Sequence, residues 1–304
     1  MRISTTTRFL DDIYGKETAI RMIARAGFDC VDLSMLDMET GNKSPFMQAD
    51  YREYAIKILQ IAQDSGLVIN QAHAPCAMDM QAWEYDTEKW EDILFRIRRS
   101  IEVAGAVGAE HIVVHPVQYM DYWNTDHKKI LCKNQEFYRL LIPTAQKAGI
   151  KICIENMWKT DKSAQVIRGS VCSSPYELAE YVDTLNQDAD IFCACLDVGH
   201  CEISGHNPVH TIHVLGARLQ ALHIHDTNFV RDLHTAPLTA STNQYAIAEA
   251  LRECGYHGDY TLEAYAFLKP FRKEFHQEAL NFMAKVSRHL ADFADEKKQY
   301  FPPK

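Results

Sequence analysis

The sequence predicts an α/β fold, a single (β/α)8 barrel over residues 1–304, from three observations: a repeated strand-forming unit, the absence of any linker, and a one-sided distribution of loop lengths. The repeated unit is a helix ending in Ala and Gly, a short apolar run, and then a polar residue able to do chemistry. It occurs at IARAGFDCVDL (23–33), AQDSGLVINQAHA (62–74), AGAVGAEHIVVHP (104–116), AQKAGIKICIEN (145–156) and RECGYHGDYTLEAY (252–265). Each reads as a helix stopped by a glycine that tolerates left-handed backbone, followed by a buried parallel strand. The runs RISTT (2–6), IFCACLDVGH (191–200) and LQALHIHDT (219–227) bring the expected strands to eight.

Amphipathic stretches separate the strands, among them YREYAIKILQIAQ (51–63), WEDILFRIRRSIEVAGAV (90–107) and NQYAIAEALREC (243–254). A last one, at about 271–298, carries Phe275, Leu280, Met283, Val286, Leu290 and Phe293 at near-helical spacing. It predicts the eighth barrel helix, with an oligomer contact at its end as a second use. Helix-to-strand connections are short. The strand-to-helix segments Ser34–Asp50, Ala74–Glu88, Pro116–Asn134, Asn156–Ser174 and Asp226–Asn243 are long. In a barrel those loops build the active face. A doubly wound open sheet is the competing architecture, but no glycine-rich phosphate loop follows the first strand.

A chain of 304 residues with 47% hydrophobic content can bury a full core. Its net charge of −9 gives no global drive toward nucleic acid or anionic membrane. Nine scattered cysteines, several inside apolar runs, read as reduced thiols of a cytoplasmic protein. The opening MRISTTTRFLDDIYG lacks a signal-peptide apolar stretch, and no segment has the length and apolarity of a membrane span.

The residues closing the third to eighth strands are His73, His115, Glu155, Asp197, His223 and Glu263. Ser, Asn, Thr or Gly would end a strand equally well, so an unbroken series of metal-ligand types predicts one divalent-ion site. Side chains alternate along a strand, which sets Cys153 inward beneath Glu155, and Cys193 and Cys195 beneath Asp197. Ile152, Ile154, Ala194 and Leu196 then face the helices. Mixed carboxylate and imidazole donors suit Mn²⁺ or Zn²⁺, with Co²⁺ or Mg²⁺ as further candidates. Just past the strand ends lie His200, His225, Asp232 and His234, read as additional metal or substrate contacts. His225 alternates with Ile224 and shares the orientation of His223, so either could ligate. Tyr119, Tyr122, Trp123 and Trp158 are candidates for stacking against a substrate ring.

The segments IEN (154–156), LDVGH (196–200), HIHD (223–226) and LEAY (262–265) together resemble the xylose isomerase-like barrel superfamily. That group includes sugar phosphate isomerases and epimerases, ketose 3-epimerases, inosose dehydratase-like enzymes and endonuclease IV. The resemblance to ketose 3-epimerases implies an ion held by Glu155, Asp197, His223 and Glu263, with His200 on substrate. The family pattern His-x-x-acid favours His223, paired with Asp226. Those enzymes carry an Arg six residues after the ligand His, where this chain has Phe229, with Arg231 nearby. The endonuclease IV pattern adds His73, His115, His200, Asp232 and His234 as ligands. The loop QYMDYWNTDHKK (118–129), with aromatics and few basic residues, suits a sugar pocket better than a phosphate track and argues against nucleic acid.

The resemblance implies a metal-dependent sugar or sugar-phosphate isomerase or epimerase of carbohydrate metabolism. Glu155 and Glu263 would transfer protons through a metal-stabilised enediolate. The same apparatus could run a lyase or dehydratase reaction on a keto-sugar or keto-glycoside. An endonuclease IV-like phosphodiesterase on abasic DNA is the remaining alternative.

Overall fold

The computed structural model describes residues 1–39, 41–76, 80–119 and 122–295. The strands in chain order are β1 (Ile3–Thr6), β2 (Cys30–Ser34), β3 (Val68–His73), β4 (His111–Val114), β5 (Lys151–Glu155), β6 (Trp158–Asp161), β7 (Val166–Gly169), β8 (Phe192–Asp197), β9 (Leu219–His223) and β10 (Tyr260–Leu262). Eight of them form one parallel sheet in the order β10-β1-β2-β3-β4-β5-β8-β9. The two ends meet where Ile224 N–H donates to the Thr261 carbonyl at 2.8 Å and Glu263 N–H donates to that of Ile224 at 3.0 Å. The result is a nearly closed (β/α)8 barrel with its helices outside, the expected fold.

The inward and outward faces follow the alternation read from the sequence. Val113, Cys153, Cys193, Cys195 and Ala221 form a small separate cluster inside the barrel. Ile152, Ile154, Ala194 and Leu196 belong to the large core between sheet and helices. Small thiol side chains fill the narrow interior and leave its upper layer to polar groups. Between β2 and β3 the pairing jumps from Val31↔Ile69 to Asp32↔Gln71, so Asn70 is an extra residue. A bulge of this kind re-aims side chains. Asn70 meets Ser4 Oγ at 2.8 Å, while Gln71 is set to reach His223 above.

The helix Lys16–Ala26 ends at Gly27 and the helix Ile142–Ala148 at Gly149, both glycines left-handed at φ 95° and 67° as their sequence positions require. Three elements differ from expectation. The run IFCACLDVGH stays extended only to Asp197, because the Asp197 side chain accepts from His200 N–H at 2.6 Å and starts the helix Val198–Ile203. The segment 156–174 contains the antiparallel hairpin β6–β7. The last helix begins at His276, after a turn at Lys273–Phe275 that leaves Phe275 exposed. It runs to Asp295 and buries Leu280, Met283 and Leu290 against the barrel. Residues 296–298 of the expected helix lie outside the described residues. Among the described residues, no helix is long and apolar enough to cross a membrane.

Glu177, in the first turn of the helix Pro175–Leu185, accepts from Cys172 N–H at 3.1 Å and from the Tyr122 hydroxyl at 3.4 Å. Burial pushes its carboxyl up to about 7. A carboxyl raised on folding contributes stability at low pH and loses it as pH rises from the unfolded value through about 7. Glu177→Gln, which cannot ionise, should therefore gain on the wild type by about 1–2 kcal/mol between pH 5 and pH 8. Urea unfolding at the two pH values measures this, and a difference independent of pH would contradict it.

Candidate active site

Among the described residues, the C-terminal ends of the strands and the segments that follow them deliver ten titratable side chains to one floor, in two groups that share an edge. In the first, His115 Nε2 lies 2.9 Å from Glu155 Oε2, with His73 Nε2 at 3.6 Å and His223 Nδ1 at 3.4 Å from the same oxygen. His223 Nδ1 is also 3.5 Å from Glu263 Oε2. In the second, His225 Nε2 lies 3.0 Å from Asp197 Oδ1, and Asp232 Oδ2 lies 3.0 Å from His234 Nε2 and 3.4 Å from His200 Nε2. His200 Nδ1 links the groups at 3.1 Å from Glu155 Oε1, and His234 Nδ1 does so at 3.6 Å from Glu263 Oε2.

Each position has a local cause. Asn156 braces the ends of β5 and β8 with its amide: it accepts from Asp197 N–H at 2.8 Å and donates to the Asp197 carbonyl at 2.9 Å. Asp226 does not enter the floor. Its carboxylate takes the backbone N–H groups of Thr227, Thr239, Ala240 and Thr242 at 2.8–3.1 Å, which fixes the loop carrying Asp232 and His234. His234 itself holds a left-handed φ of 42°, a conformation that surrounding contacts must enforce. Gly199 lies under His225, and a Cβ there would stand 1.9 Å from the ring carbon Cε1. Gly199→Ala should displace His225 from Asp197 and cost about 1–3 kcal/mol as an overpacked substitution. Thermal unfolding reads the cost, and an unshifted midpoint would show that the ring has room to move.

The hydrogen bonds also orient the imidazoles. His73, His200 and His234 place Nδ1 against the backbone carbonyls of Ala74, Asn156 and Glu263, at 2.8, 3.0 and 2.8 Å. A ring that donates from Nδ1 presents the Nε2 lone pair, and here each Nε2 faces a carboxylate. Gln71 meets His223 Nε2 at 3.0 Å. The Gln71 amide N–H donates to that nitrogen, so His223 Nδ1 carries the ring hydrogen on the side of the two glutamates. Among the described residues, Glu155 Oε1, His223 Nδ1, Asp232 Oδ1 and both oxygens of Asp32 are buried atoms that make no hydrogen bond. Lone pairs aimed at one another across about 3–3.5 Å need a cation between them, a proton or a metal.

The charges are mutually dependent. Burial alone would raise the Glu155 carboxyl, but His223 and His115 outweigh it and hold it well below the usual carboxylate range. Glu263 is likewise opposed by burial and drawn down to about 2 by His234 and His223. Burial disfavours the charged imidazoles of His200 and His223, yet the adjoining carboxylates, Asp197 for His200 and Glu155 with Glu263 for His223, hold both well above the usual range. Asp32, on β2, is pushed up to about 6 by burial, with His223 and His73 opposing.

Above the floor is a cavity of about 340 Å³ lined by His73, His115, Glu155, His200, Asp232, His234 and Glu263. Asp197, His223 and His225 are fully buried one layer lower. Trp158 lines the cavity and donates from its indole N–H to Asp232 at 3.2 Å. Trp123 lies outside it and lines a neighbouring pocket of about 460 Å³ across the β6–β7 hairpin; its indole N–H donates to the Gly169 carbonyl at 3.0 Å. Tyr119 is buried, with Lys159 against its carbonyl, and Tyr122 points to Glu177. Phe229 is exposed, and the arginine that lines the cavity is Arg8, from the loop after β1. Its guanidinium stacks on Tyr265 at 4.1 Å and lies 3.5 Å from Glu263.

Arg8, Asp32, Gln71, Cys76 and Tyr265 are site residues that the reading of strand ends missed. Asp32 carried a usable signal, a polar side chain at an inward position of an apolar strand. Arg8 carried another, a cation two residues past a strand end.

Comparison with known proteins agrees with this architecture. An uncharacterized protein of Methanocaldococcus jannaschii is 30% identical over 170 residues, covering 55% of each chain, so the match spans about half the length of that relative. A D-psicose 3-epimerase solved in the presence of D-fructose superposes with a TM-score of 0.73 at 14% identity, over 96% of this chain and 99% of that one. The 3-keto-D-glucoside 4-epimerase from E. coli, in its apo form, gives 0.71 at 17% identity, over 95% and 99%. At such identities the likeness establishes the fold. The family model of the xylose isomerase-like TIM barrel matches residues 20–297, and the chain belongs to that family.

Proposed function

We propose that the protein is a metal-dependent sugar or sugar-phosphate isomerase or epimerase acting by proton transfer. The observation that carries this reading is the pair Glu155 and Glu263, two buried carboxylates converging on His223 and both open to the same 340 Å³ cavity. Glu155, His223 and Glu263, with Asp197 from the neighbouring group beside His225, would hold a divalent ion of the Mn²⁺ or Zn²⁺ class, which the unpaired Glu155 Oε1 fits. Such an ion, when bound, would polarise a carbonyl and the neighbouring hydroxyl and so acidify the C–H between them.

The chain's own groups do the rest. Arg8 and His200, which both line the cavity, would orient substrate oxygens, and Trp158 would stack on a sugar ring. Glu155 and Glu263 take and return the proton. The names of the fold neighbours, a D-psicose 3-epimerase and a 3-keto-D-glucoside 4-epimerase, support a small sugar as substrate. Solvent deuterium exchange into a panel of ketoses and keto-glycosides tests the proposal. Incorporation at carbon next to the carbonyl supports it, and none across the panel removes it. Loss of a group β to the carbonyl in the same assay would assign a lyase.

The second group, His200, Asp232 and His234, has its ligand atoms within 4.8 Å of one another and favours a second reading, a phosphodiesterase with several ions. Cleavage of an oligonucleotide carrying an abasic-site analogue would support that instead. Metal content of more than one ion per chain fits either activity with that group occupied. All nine cysteines are free, in keeping with a cytoplasmic location, which belongs to the proposal. So does homo-oligomerisation through the end of the last helix. Light scattering of a chain truncated after Ala291 tests the latter, and unchanged mass would remove it.

A further inference from the structure

The loop leaving β3 reads His73-Ala-Pro-Cys76, and the Cys76 side chain lines the cavity. The ligand atoms of His73, Cys76 and His115 all lie within 4.8 Å of one another. Their orientation is built. His73 is turned by its bond to the Ala74 carbonyl, and its ring packs edge-on to His115 with centroids 4.9 Å apart. Cys76 N–H donates to Glu39 at 2.9 Å, which anchors the residue on the far side of the loop. Glu155 Oε2 reaches both imidazoles, His115 at 2.9 Å and His73 at 3.6 Å.

We infer that Cys76 is a thiolate ligand, completing with His73, His115 and Glu155 a centre that takes a borderline-soft ion of the Zn²⁺ or Co²⁺ class. This rests on the metal-dependent reading above and deepens it. One sulfur, two imidazoles and one carboxylate make a four-donor set typical of Zn²⁺, whereas Mn²⁺ and Mg²⁺ prefer oxygen. On binding, the Cys76 S–H bond breaks, the proton leaves to solvent, and the sulfur pair is donated to the ion. The centre is therefore distinct in preference from the carboxylate-rich set around Glu263.

The test uses chelator-treated full-length protein titrated with Co²⁺. Wild type should show visible d–d bands together with a near-ultraviolet thiolate-to-Co²⁺ charge-transfer band. Cys76→Ser should lose the second while keeping the first, and its Zn²⁺ affinity should fall by at least ~10-fold. d–d bands without charge transfer in the wild type would overturn the role of Cys76 and leave the metal-dependent reading standing. A charge-transfer band that survives in Cys76→Ser would place the thiolate elsewhere and also overturn it. No Co²⁺ uptake at all would sink both. In the unmodified chain, Zn²⁺ should shield Cys76 from alkylation relative to exposed Cys132. Equal labelling with and without Zn²⁺ counts against the assignment even if the serine variant misfolds.

Discussion

Glu155→Gln and Glu263→Gln should each lower turnover by about 10²–10⁴-fold while leaving substrate binding largely intact. Gln keeps the size and one oxygen donor but removes the basic carboxylate. Both residues are buried and held as carboxylates by imidazoles, Glu155 by His223 and His115, Glu263 by His234 and His223. Each also opens onto the cavity, so each can touch a substrate carbon. The two variants need not behave alike. If both glutamates act as proton-transfer groups, one variant should still exchange the substrate proton with solvent while failing to complete conversion. If one glutamate only holds metal, its variant should recover partly with excess ion, and in the other exchange and conversion should fall together. Kinetics with the ketose identified by deuterium exchange, together with ligand titration, separates these cases. Near-wild-type turnover in Glu263→Gln with metal bound would end its proposed role and pass the search to His200 or His225.

The fold and most of the floor were legible because parallel strands impose simple rules. Glycine-stopped helices feeding short apolar runs could only be buried strands, and their ends had to converge on one face. Parity then put Cys153, Cys193 and Cys195 inside and their ligand-type neighbours above them, as the structure has them. What parity could not show was lateral pairing. His223 and His225 share a face, yet His223 meets Glu155 and Glu263 while His225 meets Asp197. That division depends on Gln71, which a bulge at Asn70 turns inward, and on Gly199, which leaves room for the His225 ring. Neither effect has a periodic signature. Trp123 and Trp158 looked equivalent as loop aromatics. The β6–β7 hairpin separates them, leaving Trp158 in the cavity and Trp123 in the pocket beyond.

The charge balance of the floor leads to the other large effect expected. Asp32, Glu155, Asp197, Asp232 and Glu263 bring five carboxyl groups to the site, four of them almost fully buried. Apposed imidazoles offset them when protonated, as the raised values of His200, His223 and His225 (to about 9) indicate. A divalent ion would replace those protons with a concentrated positive charge and with ligand bonds. Binding to the folded chain alone stabilises it by RT ln(1 + [L]/Kd), about 4 kcal/mol at a thousandfold excess over Kd. For a chain of this size that is a rise of roughly 6 °C in the unfolding midpoint. Chelator-treated protein should therefore melt about that much lower than the same protein given Mn²⁺, Zn²⁺ or Co²⁺. Glu155→Gln and Asp197→Asn should shrink the difference, because each removes an anionic oxygen from the proposed ligand set. A midpoint that none of the three ions moves would reject the metal assignment. A full shift retained in both variants would keep the ion but place it on other donors, with His200, Asp232 and His234 as the next set to remove.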